Sequence, residues 1–119
     1  MLLRLDHVQI GMPAGGEAKA RAFYTGLLGI PEVEKPPQLA ARGGCWFERG
    51  DVKLHLGIDA DHRAPVRAHP AFIVDDLDKV CATLNGAGYE TLPDSPFYGH
   101  RRVHVRDPFG NRLELMQPE

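Results

Sequence analysis

Cysteine is scarce in this chain. Only Cys45 and Cys81 occur among 119 residues, and they do not fall in a short Cys-x-x-Cys spacing. That excludes a disulfide framework and a thiolate metal knuckle, and it makes both residues expected buried thiols of a protein kept in a reducing cytoplasm. Long apolar runs are missing too. Met1 to Ile10 is broken by Arg4, Asp6 and His7, too early for a signal peptide, and no later stretch approaches the length of a membrane span. Charge of one sign is also lacking: the formal net charge is −2 and the pI is near 6.3. Arg101, Arg102 and Arg106 lie along one strand-like stretch rather than in a tract, so nothing points to nucleic acid or to an anionic membrane surface.

The remaining composition is that of a compact globular chain, 43% hydrophobic and 25% charged, long enough to bury a core without covalent or metal staples. Residues 3–10 alternate as a strand, with Val8 and Ile10 on one face and Leu5, His7 and Gln9 on the other. A Gly- and Pro-rich loop leads to Glu17 at a helix start. Ala20, Phe23, Tyr24, Leu27 and Leu28 then follow at helical spacing up to a stop at Gly29. After a proline-rich connection, short strands are expected over 39–42 and 45–49. The Gly50-Asp51 turn opens a strand over 52–58 in which Val52, Leu54, Leu56 and Ile58 alternate with Lys53, His55 and Gly57.

Residues 59–68 are polar, contain Pro65 and follow neither period, so they read as a linker between module one (1–58) and module two (69–119). The pattern then starts again. A strand runs from His69 to Val74, Asp75 or Asp76 caps a helix carrying Leu77, Val80, Cys81 and Leu84, and Gly86 or Gly88 ends it. A short strand is expected near 89–92 and another over 101–107. The turn Asp107-Pro108-Phe109-Gly110-Asn111 then delivers Arg112-Leu113-Glu114-Leu115, where Leu113 and Leu115 share one face and Glu114 points to the other. Each half reads strand, helix, three strands, which predicts an α+β fold of two βαβββ modules.

His69 follows His7 by 62 residues and Glu114 follows His55 by 59 (69 − 7 and 114 − 55), so the four occupy equivalent places in a repeat of about 60 residues. His7 and His69 sit on the first strands of their halves, His55 and Glu114 on the last, all on the faces turned away from the apolar side. If those faces curve into a cup, three imidazoles and one carboxylate project into it. That donor set suits one divalent ion such as Zn, Ni, Co, Mn or Fe. His62 falls in the linker and His100 in a loop, and neither is expected to take part. Arg102 and His104, alternating with Val103 and Val105, are candidate substrate contacts, and Trp46 and Phe47 are candidate aromatic walls. Glu48, on another strand, is expected to be a bystander.

The stretches Leu5-Asp6-His7-Val8, Arg21-Ala22-Phe23-Tyr24 through Leu27-Leu28-Gly29, His69 through Asp75-Asp76-Leu77-Asp78, and Asp107 through Glu114 together resemble the vicinal oxygen chelate superfamily, which includes glyoxalase I, fosfomycin and bleomycin resistance proteins, methylmalonyl-CoA epimerase and extradiol dioxygenases. The resemblance implies a cupped, partly open barrel of two βαβββ modules, a homodimer, and a metal triad of His7, His69 and Glu114, with position 55 giving a fourth ligand in some subfamilies. Glyoxalase I-like members usually carry Glu at the place of His55 and methylmalonyl-CoA epimerases Gln, so His55 departs from both. Bleomycin-binding relatives normally lack the ligand set. The function expected on these grounds is that of a divalent-metal-dependent lyase or isomerase of glyoxalase type. It would act on a small oxygen-bearing molecule, with Glu114 or a metal-bound hydroxide moving the proton. The alternatives are an extradiol-type dioxygenase and a binding protein that sequesters a small molecule.

Overall fold

The structure, a computed structural model, describes residues 1–119. It divides into two compact units, Met1–Arg63 and Ala64–Glu119. No helix is long and apolar enough to cross a membrane.

The first unit runs β1 (Val8–Met12), α1 (Glu17–Arg21), β2 (Glu32–Val33), α2 (Pro37–Ala40), β3 (Cys45–Arg49) and β4 (Val52–Ile58), with sheet order β1-β4-β3-β2. Beyond Arg21 the helix widens into a π-helical turn over Ala22–Leu27, where the Leu28 N–H reaches five residues back to the Phe23 carbonyl at 3.1 Å. Phe23 and Tyr24 are both buried by it, their rings edge to face at 4.9 Å. Gly29, at φ +73°, ends the turn as its position in the sequence implies. Tyr24 rests on Phe47 of β3, with ring centroids 5.3 Å apart, so the core of this unit lies between helix and sheet.

Two expectations for this unit are corrected. The strand anticipated over 39–42 is the helical turn α2: Pro37 stands at its first position, where proline's fixed φ favours a helix and its missing N–H costs nothing. The first strand opens at Val8, not at residue 3. Val8 pairs with Leu54, so continuing that register brings Leu5 level with Asp51, already in the turn before β4, and the preceding residues have no strand to pair with. Leu2, Leu3 and Leu5 are accordingly exposed.

The second unit repeats the design with β5 (Ala71–Ile73), α3 (Leu77–Gly86), β6 (Leu92–Asp94), β7 (His100–Arg106) and β8 (Arg112–Pro118), ordered β5-β8-β7-β6. Of the two candidate caps, Asp76 is the one used: its carboxylate accepts the Lys79 N–H at 3.1 Å. Leu77 and Leu84 of α3 are buried, as are Leu113 and Leu115 of β8, the strand against which α3 lies. At the turn into β8, the Asp107 carboxylate takes hydrogen bonds from the Phe109 and Asn111 backbone N–H groups, both at 2.8 Å, and from the Asn111 side chain at 3.0 Å. Gly110 supplies the left-handed residue at φ +82°. The turn fixes the register of β7 on β8, and so decides what lies beside Glu114.

In each unit the last strand is central, flanked by the first strand in parallel and the third in antiparallel pairing. His55 is thereby level with Gln9 and Trp46, and Glu114 with Ala71 and His104. Trp46 holds in the first unit the place His104 holds in the second.

Candidate functional site

The faces of β4 and β8 that turn away from the helices are not wet. His55, His104 and Glu114 are 5%, 8% and 6% exposed, so each polar side chain needs a partner there.

In the first unit, His55 lies in a stack of rings. Trp46 covers one side at 4.0 Å between centroids and 3° between planes. His7 stacks against His55 at 4.5 Å. His55 Nε2 meets the Glu48 carboxylate at 2.8 Å. His7, just ahead of β1 and half-exposed, holds Asp6 through Nδ1 at 2.9 Å. That hydrogen bond first, and then the charge of Lys53, holds the Asp6 carboxyl below its ordinary range. The expectation for Glu48 is thus corrected: it is no bystander but the group that orients His55. Phe47 is corrected as well. It alternates with Trp46 along β3, is fully buried against Tyr24, and belongs to the core rather than to a site wall. Glu48→Leu is expected to leave the buried His55 nitrogen without its partner and to cost about 1–3 kcal/mol, read as a lowered urea midpoint. An unchanged midpoint would show that water replaces the carboxylate there.

In the second unit, His69 precedes β5 and reaches across to β8, where its Nε2 lies 3.0 Å from Glu114 Oε1. Its Nδ1 meets the Arg67 backbone carbonyl at 2.6 Å. A carbonyl oxygen only accepts, so Nδ1 carries a proton, and a neutral His69 turns its Nε2 lone pair toward a carboxylate. Two acceptors approach that closely only with a proton or a cation between them: a proton on His69 Nε2 or on Glu114, or a metal ion. Arg102 closes the site from β7, with Nη1 3.4 Å from Glu114 Oε1 and Nη2 3.3 Å from Asp94 Oδ2. Its Nε donates to the Ser95 carbonyl at 2.7 Å, and its guanidinium lies 5.6 Å from the centre of the Phe97 ring. Arg102 is therefore engaged by its own neighbours, as an ion-pair partner of both carboxylates. His104 Nε2 meets Asp94 Oδ2 at 2.9 Å. With the Ser95 N–H next in effect, that bond holds the Asp94 carboxyl below its ordinary range.

A divalent ion fits this chemistry. His69 Nε2 and Glu114 Oε1, 3.0 Å apart, are an imidazole nitrogen and a carboxylate oxygen, the kinds of donor such an ion takes. One ligand atom from each of His69, His104 and Glu114 falls within 4.8 Å of the others. Histidines that bind metals nearly always give their other ring nitrogen to a carboxylate or carbonyl, and His7, His55, His69 and His104 are each held in that way, by Asp6, Glu48, Arg67 and Asp94. His7 with His55, and His69 with Glu114, are each brought together within one unit. His104, read from the sequence as a substrate contact, stands beside the latter pair. Its strand alternation placed it on the right face, but the cross-strand register to Glu114 depends on the Asp107 turn and gave no separate sequence signal.

Residues 4–115 match the sequence profile of the Glyoxalase/Bleomycin resistance protein/Dioxygenase superfamily. Among solved structures, a glyoxalase family protein from Bacillus anthracis is 40% identical, with a TM-score of 0.93 over 100% of this chain and 98% of that one. The fosfomycin resistance protein FosX from Listeria monocytogenes shares the fold at 15% identity, with a TM-score of 0.78 over 100% of this chain and 96% of its own. So does TnmS3, an antibiotic binding protein from Streptomyces sp. CB03234, at 24% identity and a TM-score of 0.73 over 99% and 100% of the two chains. No curated protein matches the chain by sequence.

Proposed function

The chain belongs to the Glyoxalase/Bleomycin resistance protein/Dioxygenase superfamily, and on that footing we propose that it is a divalent-metal-dependent lyase or isomerase of glyoxalase type acting on a small oxygen-bearing molecule. The observation that carries this reading is the His69–Glu114 pair, in which an imidazole nitrogen and a buried carboxylate oxygen meet at 3.0 Å. When bound, the ion would polarise a substrate oxygen and stabilise the negative charge that develops on it.

The chain's own residues do the rest. His69, with Nδ1 fixed on Arg67, presents Nε2 as a donor, and Glu114 presents its carboxylate. His7 and His55 are the donors that the first unit offers to an ion, each oriented by an acid on its other side. Glu114 is also the carboxylate we assign to proton transfer, gaining and returning the proton at a side-chain oxygen. Arg102, ion-paired to both Glu114 and Asp94, keeps Glu114 aimed. The burial of Glu114 excludes water that would compete for that proton.

Turnover of a hemithioacetal, lost on chelation and restored by a single divalent metal, is the expected result. Tight binding of a small molecule unchanged by chelation, with no turnover, would favour sequestration instead. A dioxygenase reading has an observation of its own, the two imidazoles and one carboxylate of His69, His104 and Glu114, a set that suits Fe(II). Oxygen consumption with a catechol, in Fe(II) only, would select it.

A further inference from the structure

Among the side chains of the second unit, one buried atom has no partner. His104 Nδ1 is inaccessible and makes no hydrogen bond, although the residue lies in the middle of β7 opposite Glu114 and is 92% buried by its 8% exposure. Leaving a polar atom unsatisfied in such a place costs about 1–3 kcal/mol, so the lone nitrogen calls for an explanation. The other ring nitrogen supplies half of it. Asp94 is a carboxylate and accepts, so Nε2 carries the proton. Nδ1 is then a bare lone pair, fixed as such by its neighbour. His69 is set up in the same sense, with a proton on the nitrogen facing Arg67 and a lone pair on the other.

We propose that His104 is a third metal donor of the second unit, binding through Nδ1 beside His69 and Glu114, and that Asp94 is the positioning residue that fixes its tautomer and ring. The three residues place one ligand atom each within 4.8 Å of one another. The rings of His69 and His104 meet edge to face at 5.4 Å, so the two imidazoles are direct neighbours. Nothing in the spacing of the sequence separates this role from the substrate contact expected for His104. It follows from the Asp94 bond and the orphaned nitrogen. The proposal rests on the reading of a metal centre at His69 and Glu114, and adds to it which residues complete the donor set on this side.

The test is titration of the metal-free full chain with Zn(II) by calorimetry and with Co(II) by visible absorption, the Co(II) bands reporting the number and kind of donors. His104→Ala is expected to weaken binding by at least about 10-fold and to change the Co(II) bands. Asp94→Asn, which keeps the side chain's shape and is the safer variant for folding, is expected to weaken it by about 10–100-fold, as loss of an orienting partner does. His62→Ala controls for adventitious imidazole binding and should leave affinity and spectrum as they are. Wild-type affinity and an unaltered Co(II) spectrum in both His104→Ala and Asp94→Asn would overturn the assignment of His104 while leaving the metal centre standing. Absence of binding by the unsubstituted chain would overturn both.

Discussion

Glu114→Gln is expected to lower metal-dependent turnover by at least about 10²-fold, the usual consequence of losing a positioned base, while leaving the protein folded. The two halves of that expectation come from the same geometry. A carboxamide has the volume of a carboxylate, and with its oxygen at the Oε1 position, which both Arg102 and His69 address, it can still accept from Arg102. The Arg102 contact therefore survives. What disappears is the anion, and with it the one negative charge among the proposed donors, so a bound cation is held by neutral imidazoles beside the Arg102 guanidinium and must bind more weakly. Proton transfer fails as well, because an amide is no base at neutral pH. Thermal melting should move little while metal affinity and kcat/KM fall together. Glu34, exposed between β2 and α2, is the appropriate control for a Glu→Gln change. Glu48, being the partner of His55, is not. Full turnover and an intact metal in Glu114→Gln would remove β8 from the centre of the site.

The second large effect is on stability. Phe47→Ala is expected to cost about 3–5 kcal/mol, as truncation of a fully buried phenylalanine does, because its ring fills the space beneath Tyr24 and is completely covered. Trp46→Ala, one residue away on the opposite face of β3, should cost less, chiefly the contact with His55, for which stacking accounts for about 0.5–1.5 kcal/mol. It should instead disturb the ring stack of His7 and His55. Urea unfolding followed by circular dichroism is the suitable measurement, since Trp46 is the sole tryptophan of the chain and fluorescence is lost in its variant. A larger loss for Trp46→Ala than for Phe47→Ala would mean that the core of the first unit lies on the other side of its sheet.

The contrast between these neighbours also shows where the sequence is informative. Alternation in 52–58 and 112–116 correctly separated His55 and Glu114 from the leucines beside them, since side-chain period in a strand is a local property. The same rule separates Trp46 from Phe47, but applied to an isolated short strand it does not say which face meets a helix. The repeat made the two βαβββ modules legible, because each needs the same strand, helix and turn chemistry in the same order. The helical turn at Pro37 and the late start of β1 at Val8 were not legible, the first because two prolines ahead of a short apolar stretch suit an extended or a helical turn equally, the second because alternation continues past the point where the partner strand stops. The roles of Glu48 and Asp94 were hidden for a different reason. Each orients a histidine on the adjoining strand, and cross-strand partners are set by register, which no local pattern carries.

A divalent ion at His69 and Glu114 is tested most directly by elemental analysis by plasma mass spectrometry of the protein purified without added metal or chelator, repeated on Glu114→Gln. The expected result is about one equivalent of a divalent metal such as Zn, Ni, Co, Mn or Fe per chain in the unsubstituted protein and a marked loss in Glu114→Gln. No stoichiometric metal in either protein, together with no uptake when each of those ions is supplied, would contradict it.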